Sequence, residues 1–242
     1  MAKTVSKKTL KEKINFAVVS VGTKYSIDYI EKLYNSIERN CTLDYEFHVF
    51  SDKSINYKDA IFHMLPEMPV PKTDLKGWWY KLCLFDKTNG LSGKIFYLDL
   101  DCVIIGNIDH LIEPTDEFYI CQDFNRCRNS SITLLNSSCM QWTPNEHTHK
   151  IWSQWQSTIT SYINLHRGDQ DYLARECNWI DFKFNNKDAI VSYKWEACNN
   201  FHNRLQDMNL TPTVLDSHRI YVFHGKPDPH EVFDSIIVDH WK

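Results

Sequence analysis

The sequence predicts an α/β protein built on a largely parallel sheet, and three observations carry that expectation. Short apolar runs rich in aromatic and β-branched residues recur at strand length, at 14–21, 45–51, 95–98 and 219–223. Between the first two runs lies a stretch with apolar residues at helical spacing, giving the strand–helix–strand order that opens a parallel sheet. Several runs also end abruptly in polar residues, and ligands on such sheets sit at the carboxyl ends of the strands.

The elements follow in order. Residues 14–21 (INFAVVSV) read as a buried strand, Gly22-Thr23-Lys24-Tyr25 as a turn, and Ser26 as the N-cap of a helix with Ile30, Leu33, Tyr34 and Ile37 on its buried face. A second strand runs from Tyr45 to Ser51 and ends at Asp52. Three prolines mark 62–76 as an irregular loop. A helix from about Gly77 to Thr88 is expected to bury Trp78, Leu82 and Phe85, with Lys81 on the flank of that stripe. Strands follow at 95–98, 102–105, 117–122 and 132–141, with a short helical segment at 107–112. Thr143-Pro144-Asn145-Glu146 reads as a capping box with proline at the first helical position. That helix is buried through Ile151, Trp152, Trp155 and Ile159. Another helix starts at Gly168-Asp169-Gln170-Asp171, and the last strand, 219–223, runs into His224-Gly225-Lys226-Pro227.

Composition narrows the class. The 242 residues are 43% hydrophobic, 14% aromatic and 24% charged, which describes a globular chain with a sizeable core. A net charge of −4 leaves no nucleic-acid footprint. The basic cluster Lys3, Lys7, Lys8, Lys11 and Lys13 reads as a solvated tail, with an anionic membrane surface as the sharper alternative. No apolar run approaches the ~20 residues that span a bilayer. The N-terminus lacks the apolar core of a signal peptide. Eight cysteines without a CxxC pair read as reduced thiols in a cytoplasmic protein, so the Asn-x-Ser/Thr matches at Asn129, Asn136 and Asn209 carry little weight. With no linker or repeat, residues 14–242 read as one domain after a basic tail, 1–13. Nothing in the sequence speaks to oligomeric state.

Chemistry concentrates at element ends. In KIFYLDLDCVII, residues 94–105, two apolar runs meet at Asp99-Leu100-Asp101. Two anions beside a buried sheet are costly unless a positive charge compensates them. A hard divalent cation such as Mg²⁺ or Mn²⁺ would do so, and a turn cap plus a solvated acid is the plainer alternative. His224 would complete a metal site with open positions for phosphate oxygens, or serve as a structural residue after a strand. Gly225 allows close backbone approach, and Lys226 would neutralise a diphosphate. Asn136-Ser137 and Asp169-Gln170-Asp171 are two further polar clusters, the latter also readable as a helix cap.

Together these motifs resemble the metal-dependent, nucleotide-sugar glycosyltransferases of the GT-A fold, closest to family 8, the glycogenin and lipopolysaccharide galactosyltransferase group. The segment YLDLDCVIIGNIDHLI matches that family's acid motif and its flank. WWYKL resembles the family's helix carrying a donor-side lysine, here Lys81. LLNSSCM and GDQDYLA match two further stretches, with Ser138 where glycine is usual. HGKPDPH is a compressed form of the family's longer histidine motif. The resemblance implies a mixed GT-A sheet flanked by helices and a UDP-sugar donor. It also implies retention of anomeric configuration and a carbohydrate or other hydroxyl acceptor. It implies Asp99, Asp101 and His224 as Mn²⁺ (or Mg²⁺) ligands, with Asp99 also near the ribose and Leu100 among the donor-binding residues. Val21, Thr23 and Tyr25 would border the nucleoside. Lys226 would grip the phosphates, Lys81 would be the donor-side lysine and Gly225 part of the donor-binding loop, and Asn136, Asp169 and Gln170 would face the donor sugar and the reacting bond.

Two other classes fit the same residues. Asp99-Leu100-Asp101-Cys102-Val103 also fits the aspartate-nucleophile pattern of haloacid-dehalogenase-like phosphatases, although some hundred residues precede it and His224-Gly225-Lys226 would have no task there. The chain would alternatively be a sugar- or nucleotide-binding domain without catalysis.

Overall fold

The computed structural model describes residues 13–68, 70, 75–200 and 211–242. All of the expected basic tail except Lys13 lies outside them. Lys13 pairs with Glu46 at 3.1 Å.

Among the described residues, ten strands form two sheets. The first is seven-stranded in the order β3-β2-β1-β4-β7-β6-β8. Its strands are β1 (Ile14–Ser20), β2 (Tyr45–Ser51), β3 (Ile61–Met64), β4 (Lys94–Leu98), β6 (Phe118–Gln122), β7 (Leu135–Trp142) and β8 (Phe182–Phe184). Strands β3, β2, β1 and β4 are parallel, whereas β7 is antiparallel to both β4 and β6. The second sheet, β5-β10-β9, joins β5 (Cys102–Ile104), β10 (Ile220–Val222) and β9 (Ile190–Ser192). Strand β10 is antiparallel to β5 and parallel to β9.

Alternation along the central strands divides the interior in two, because successive side chains leave opposite faces. Phe16, Val18, Phe96 and Leu98 pack with α1 (Ile27–Asn40), the small sheet and α4 (Ser235–His240). Ala17, Ile95 and Tyr97 face the other way, against a 3₁₀ helix (Gly77–Phe85), α2 (Glu146–Leu165) and α3 (Asp169–Glu176). The two apolar runs either side of Asp99-Leu100-Asp101 therefore belong to different sheets. The acid pair is the crossing between them, closed by the Cys102 amide donating to the Asp99 carbonyl at 3.1 Å.

Several expectations need correction. The segment after Gly77 is a 3₁₀ helix that is buried continuously from Trp79 to Phe85, and Trp78, in its first turn, is the 44% exposed residue where a buried one was expected. A run as uniformly apolar as WWYKLCLF does not distinguish the two periods. The box opening α2 uses Asn145, which accepts from the amides of His147 and Thr148, while the Thr148 hydroxyl accepts from the Asn145 amide; Pro144 precedes the cap. Residues 61–64 form an edge strand rather than loop. Strands β8 and β9, a π-helical turn at Tyr193–Ala197 and helix α4 complete the set, and each is too short to show a period of its own.

Candidate functional site

Topology gathers the polar clusters. Parallel β1, β2 and β4 deliver Val21, Asp52 and Asp99 to one edge of the sheet. Antiparallel β7 begins at that edge, which brings Asn136 and Ser137 beside β4, and the Asp99 amide donates to the Ser138 carbonyl at 2.8 Å. Strand β10 runs antiparallel to β5, so its carboxyl end returns to the crossing. The Phe223 amide donates to the Asp101 carbonyl at 3.2 Å, leaving His224 one residue away.

Lys81 is the centre of the side-chain network. It is buried, with its ammonium 2.8 Å from Asp99 Oδ1, 3.2 Å from Ser137 Oγ and 3.9 Å from Asp169 Oδ2. Burial alone would lower its pKa, but Asp169 and Asp99 outweigh that and hold it above the ordinary lysine value. The Tyr97 hydroxyl donates to Asp99 Oδ1 at 2.6 Å. Asp169 does not cap α3. It is buried, and its Oδ2 makes no hydrogen bond among the described residues. Burial raises the Asp169 carboxyl, against the opposing pull of Lys81 and Ser137. Asn136 Oδ1 accepts from the Ser138 amide at 3.0 Å, shaping the start of β7. Gln170 is half-buried next to Asp169.

Asp101 is buried and accepts from the Tyr25 hydroxyl at 2.6 Å, with the Lys24 ammonium 4.0 Å away. Lys24 also donates to Tyr25. Burial first, and the Asp99 charge second, push the Asp101 carboxyl up to about 7. In the turn after β1, Asp52 accepts from the Gly22 amide at 3.2 Å, and Lys53 donates to the Gly22 carbonyl at 2.8 Å. Val21 is pinned from outside: a methyl group on Gly77 would lie 2.9 Å from its Cγ1.

His224 is sandwiched between aromatic rings. Phe124 stacks on it at 5.3 Å between centroids and Trp195 meets it edge-on at 4.4 Å. Its Nε2 shares a 2.6 Å hydrogen bond with Ser192 Oγ. Burial, and secondarily Lys194, lower it to about 3, so the ring is neutral. Gly225 has φ of 72°, in the left-handed region. Lys226 pairs with Asp228 and Glu231, both at 2.7 Å. The ammonium under this loop belongs to Lys194, which donates to the carbonyls of Lys226 (2.8 Å) and His224 (3.3 Å).

The structure thus brings Lys81, Asp99, Ser137 and Asp169 into direct contact and sets Tyr25 on Asp101. It places the backbone, but not the imidazole, of the 224 loop against them, and Lys226 faces acids of its own loop. Among the described residues no three His, Cys, Asp or Glu side chains converge as a metal cage. What fits a divalent cation is the pair of crossing carboxylates, whose mutual repulsion in a buried setting a cation would relieve, and an imidazole that is neutral, as a ligand must be. Sequence reasoning missed Ser192, Lys194 and Tyr97. A lysine inside the apolar stretch VSYKWEA was the available signal for Lys194.

These features define the GT-A class of nucleotide-sugar glycosyltransferases: a mixed sheet flanked by helices with acidic residues at the end of a central strand. The chain belongs to the nucleotide-diphospho-sugar transferase family, whose model matches residues 77–225. That span holds every residue of the Lys81 network, and membership sets aside the phosphatase alternative. No curated protein matches in sequence. Among solved structures, the galactosyltransferase LgtC in complex with donor and acceptor sugar analogs superposes with a TM-score of 0.61 at 14% identity, covering 89% of this chain and 88% of LgtC. The apo-form glycosyltransferase GlyE of Streptococcus pneumoniae TIGR4 gives 0.62 at 14% identity, over 94% of this chain and 62% of GlyE. Mouse xyloside xylosyltransferase 1 gives 0.50 at 13% identity, over 89% and 98%. No helix among the described residues is long and apolar enough to cross a membrane.

Proposed function

We propose that this chain transfers a sugar from a UDP-sugar to an acceptor hydroxyl, in a reaction that depends on Mn²⁺ or Mg²⁺ and retains the anomeric configuration. One observation carries the reading: Asp99, Asp101 and Asp169 crowd the sheet crossing around Lys81, leaving an excess of negative charge beside an edge built for a nucleotide. Asp99 and Asp101 would hold the cation, with His224 as third ligand. Bound there, it supplies Lewis-acid stabilisation of the charge that develops on departing UDP.

The chain's own residues do the rest. The turn of Val21, Thr23 and Tyr25 borders the nucleoside, and Leu100, buried between the acids, sets their spacing next to the ribose. Lys81 orients Asp99 and Asp169 and places a fixed positive charge on the donor side. Asp169, held by Lys81, lies on the donor-sugar side, with Asn136 and Gln170 completing that wall. Gly225 allows the loop backbone to approach the diphosphate, and Lys226 reaches it by exchanging Asp228 and Glu231 for phosphate. Eight cysteines without a disulfide support a reducing, cytoplasmic setting.

The decisive experiment is a screen of UDP-sugars for hydrolysis with Mn²⁺ and with EDTA, alongside thermal stabilisation by UDP. Metal-dependent turnover of one donor is expected. A protein that neither binds UDP nor turns over any UDP-sugar would end this reading.

A further inference from the structure

Packing covers Trp78 only in part. It is a large aromatic residue left 44% exposed, although its neighbours Trp79 and Tyr80 are buried. Its position is set from two sides. On a 3₁₀ helix residues i and i+3 eclipse, so Trp78 lies on the same edge as Lys81, one turn, about 6 Å, along the helix axis. At the indole's pyrrole side lies Gly168, the residue before Asp169: a methyl group there would come within 2.9 Å of Trp78 Nε1 and 3.0 Å of Cδ1. The backbone of Gly168 is extended (φ of 179°), a conformation open to any residue, so the glycine serves the contact with the indole rather than the turn.

Gly77, immediately before it, packs on Val21. The indole is therefore anchored between the nucleoside-side turn and the start of α3, at the rim above Lys81 and Asp169. The Trp78 indole makes no hydrogen bond among the described residues, and 44% of the residue stays exposed. A rigid aromatic surface at the mouth of a polar site suits the apolar face of a pyranose ring, whose C–H groups pack on the π-face while its hydroxyls reach polar partners. The donor's own sugar belongs deeper, beside Asp169, which leaves the outer position for the acceptor.

Resting on the reading above, we propose that Trp78 is the platform on which the acceptor's sugar ring stacks, so that the acceptor is a carbohydrate presenting a pyranose at the rim. Trp78 then determines acceptor specificity without touching the diphosphate.

The test uses the full chain labelled with 5-fluorotryptophan, its Trp78 resonance assigned through Trp78→Phe. With UDP and Mn²⁺ present, methyl pyranosides of glucose, galactose, mannose and xylose are added to ~10 mM, enough to fill a millimolar site. A saturable shift of the Trp78 resonance with at least one of them is expected. Once an acceptor is known from transfer assays, Trp78→Leu is expected to raise its KM about tenfold, with Trp78→Phe keeping most of the wild-type value. If UDP binds and no pyranoside moves the Trp78 signal, or if Trp78→Leu leaves the acceptor KM unchanged, the proposal falls and the donor reading stands. If UDP itself fails to bind, both fall together. A Trp78→Leu protein that does not fold leaves the fluorine titration of the intact chain to decide.

Discussion

The amide of Phe223 donates to the carbonyl of Asp101 across 3.2 Å, joining the last strand of the small sheet to the crossing between the two sheets. This bond lies at the end of the β5–β10 ladder, where Val222 pairs with Cys102. It makes the position of the 224 loop a consequence of strand pairing rather than of loop conformation. The acids and the backbone of the histidine motif thus share one frame.

Removing one acid of the crossing should remove the metal response. Asp101→Asn is expected to abolish Mn²⁺-dependent thermal stabilisation by UDP, and His224→Ala to weaken it with the fold retained. Isothermal titration of Mn²⁺ in the presence of UDP measures both. Wild-type metal affinity in His224→Ala would show that the ring stays with Ser192.

Lys81 holds the carboxylates in place by charge. Lys81→Met should cost roughly 2–4 kcal/mol of stability in urea unfolding at pH 7, because it strands Asp99 and buried Asp169 without their cation. A loss under ~1 kcal/mol would mean that water enters and solvates them. A Lys81→Met, Asp169→Asn double variant should recover part of the loss, since the unpaired charge is then gone.

The compressed loop can be read by comparing two lysines. Lys226→Ala is expected to raise the donor KM severalfold. An unchanged KM would mean that Lys226 remains with Asp228 and Glu231, as its 2.7 Å pairs show it here. Lys194 bonds carbonyls of the same loop, so Lys194→Met is expected to lower stability as well as activity.

Away from the site, His48 is a buried acid-sensitive group. Its ring nitrogens meet His63 at 2.9 Å and Asn15 at 3.0 Å, and burial together with His63 lowers it from 6.5 to about 4. The unfolded chain therefore takes up this proton before the folded one. Stability contributed by neutral His48 is complete above pH 6.5 and is lost as pH falls toward 4, by up to about 3 kcal/mol. The difference between the urea-unfolding curves of wild type and His48→Gln over pH 4–7 isolates this group; parallel curves would remove the assignment.

Legibility followed the range of the interactions. Strand β1, helix α1, strand β2 and the β4–β5 segment declare themselves through periodicity within a few residues. Trp78 was misread because nearly every residue of WWYKLCLF is acceptable to a core and all from Trp79 to Phe85 are buried, so nothing local marks the first tryptophan as the exposed one. Strands β8 and β9, three residues each, exist only because β6 and β10 offer them a ladder. Lys226 was assigned to phosphate by motif alone, and its ion pairs depend on Glu231, which turns back toward it.

What the sequence determined by itself was local: which runs are strands, that Asp99 and Asp101 end one of them, that Asn136, Asp169 and His224 sit at element ends, and that Lys81 lies within a helix. The side-chain period and the cost of burying unpaired charge are written in neighbouring residues, so no fold is needed to read them. Only the tertiary structure decided that Asp99-Leu100-Asp101 is where the chain changes sheets. It alone decided that Lys81 bridges Asp99 and Asp169 across 88 positions of sequence, and that His224 is held by Ser192. Those outcomes depend on strand order and on antiparallel pairing at β7 and β10, and pairing is a property of two distant segments together, which neither carries alone.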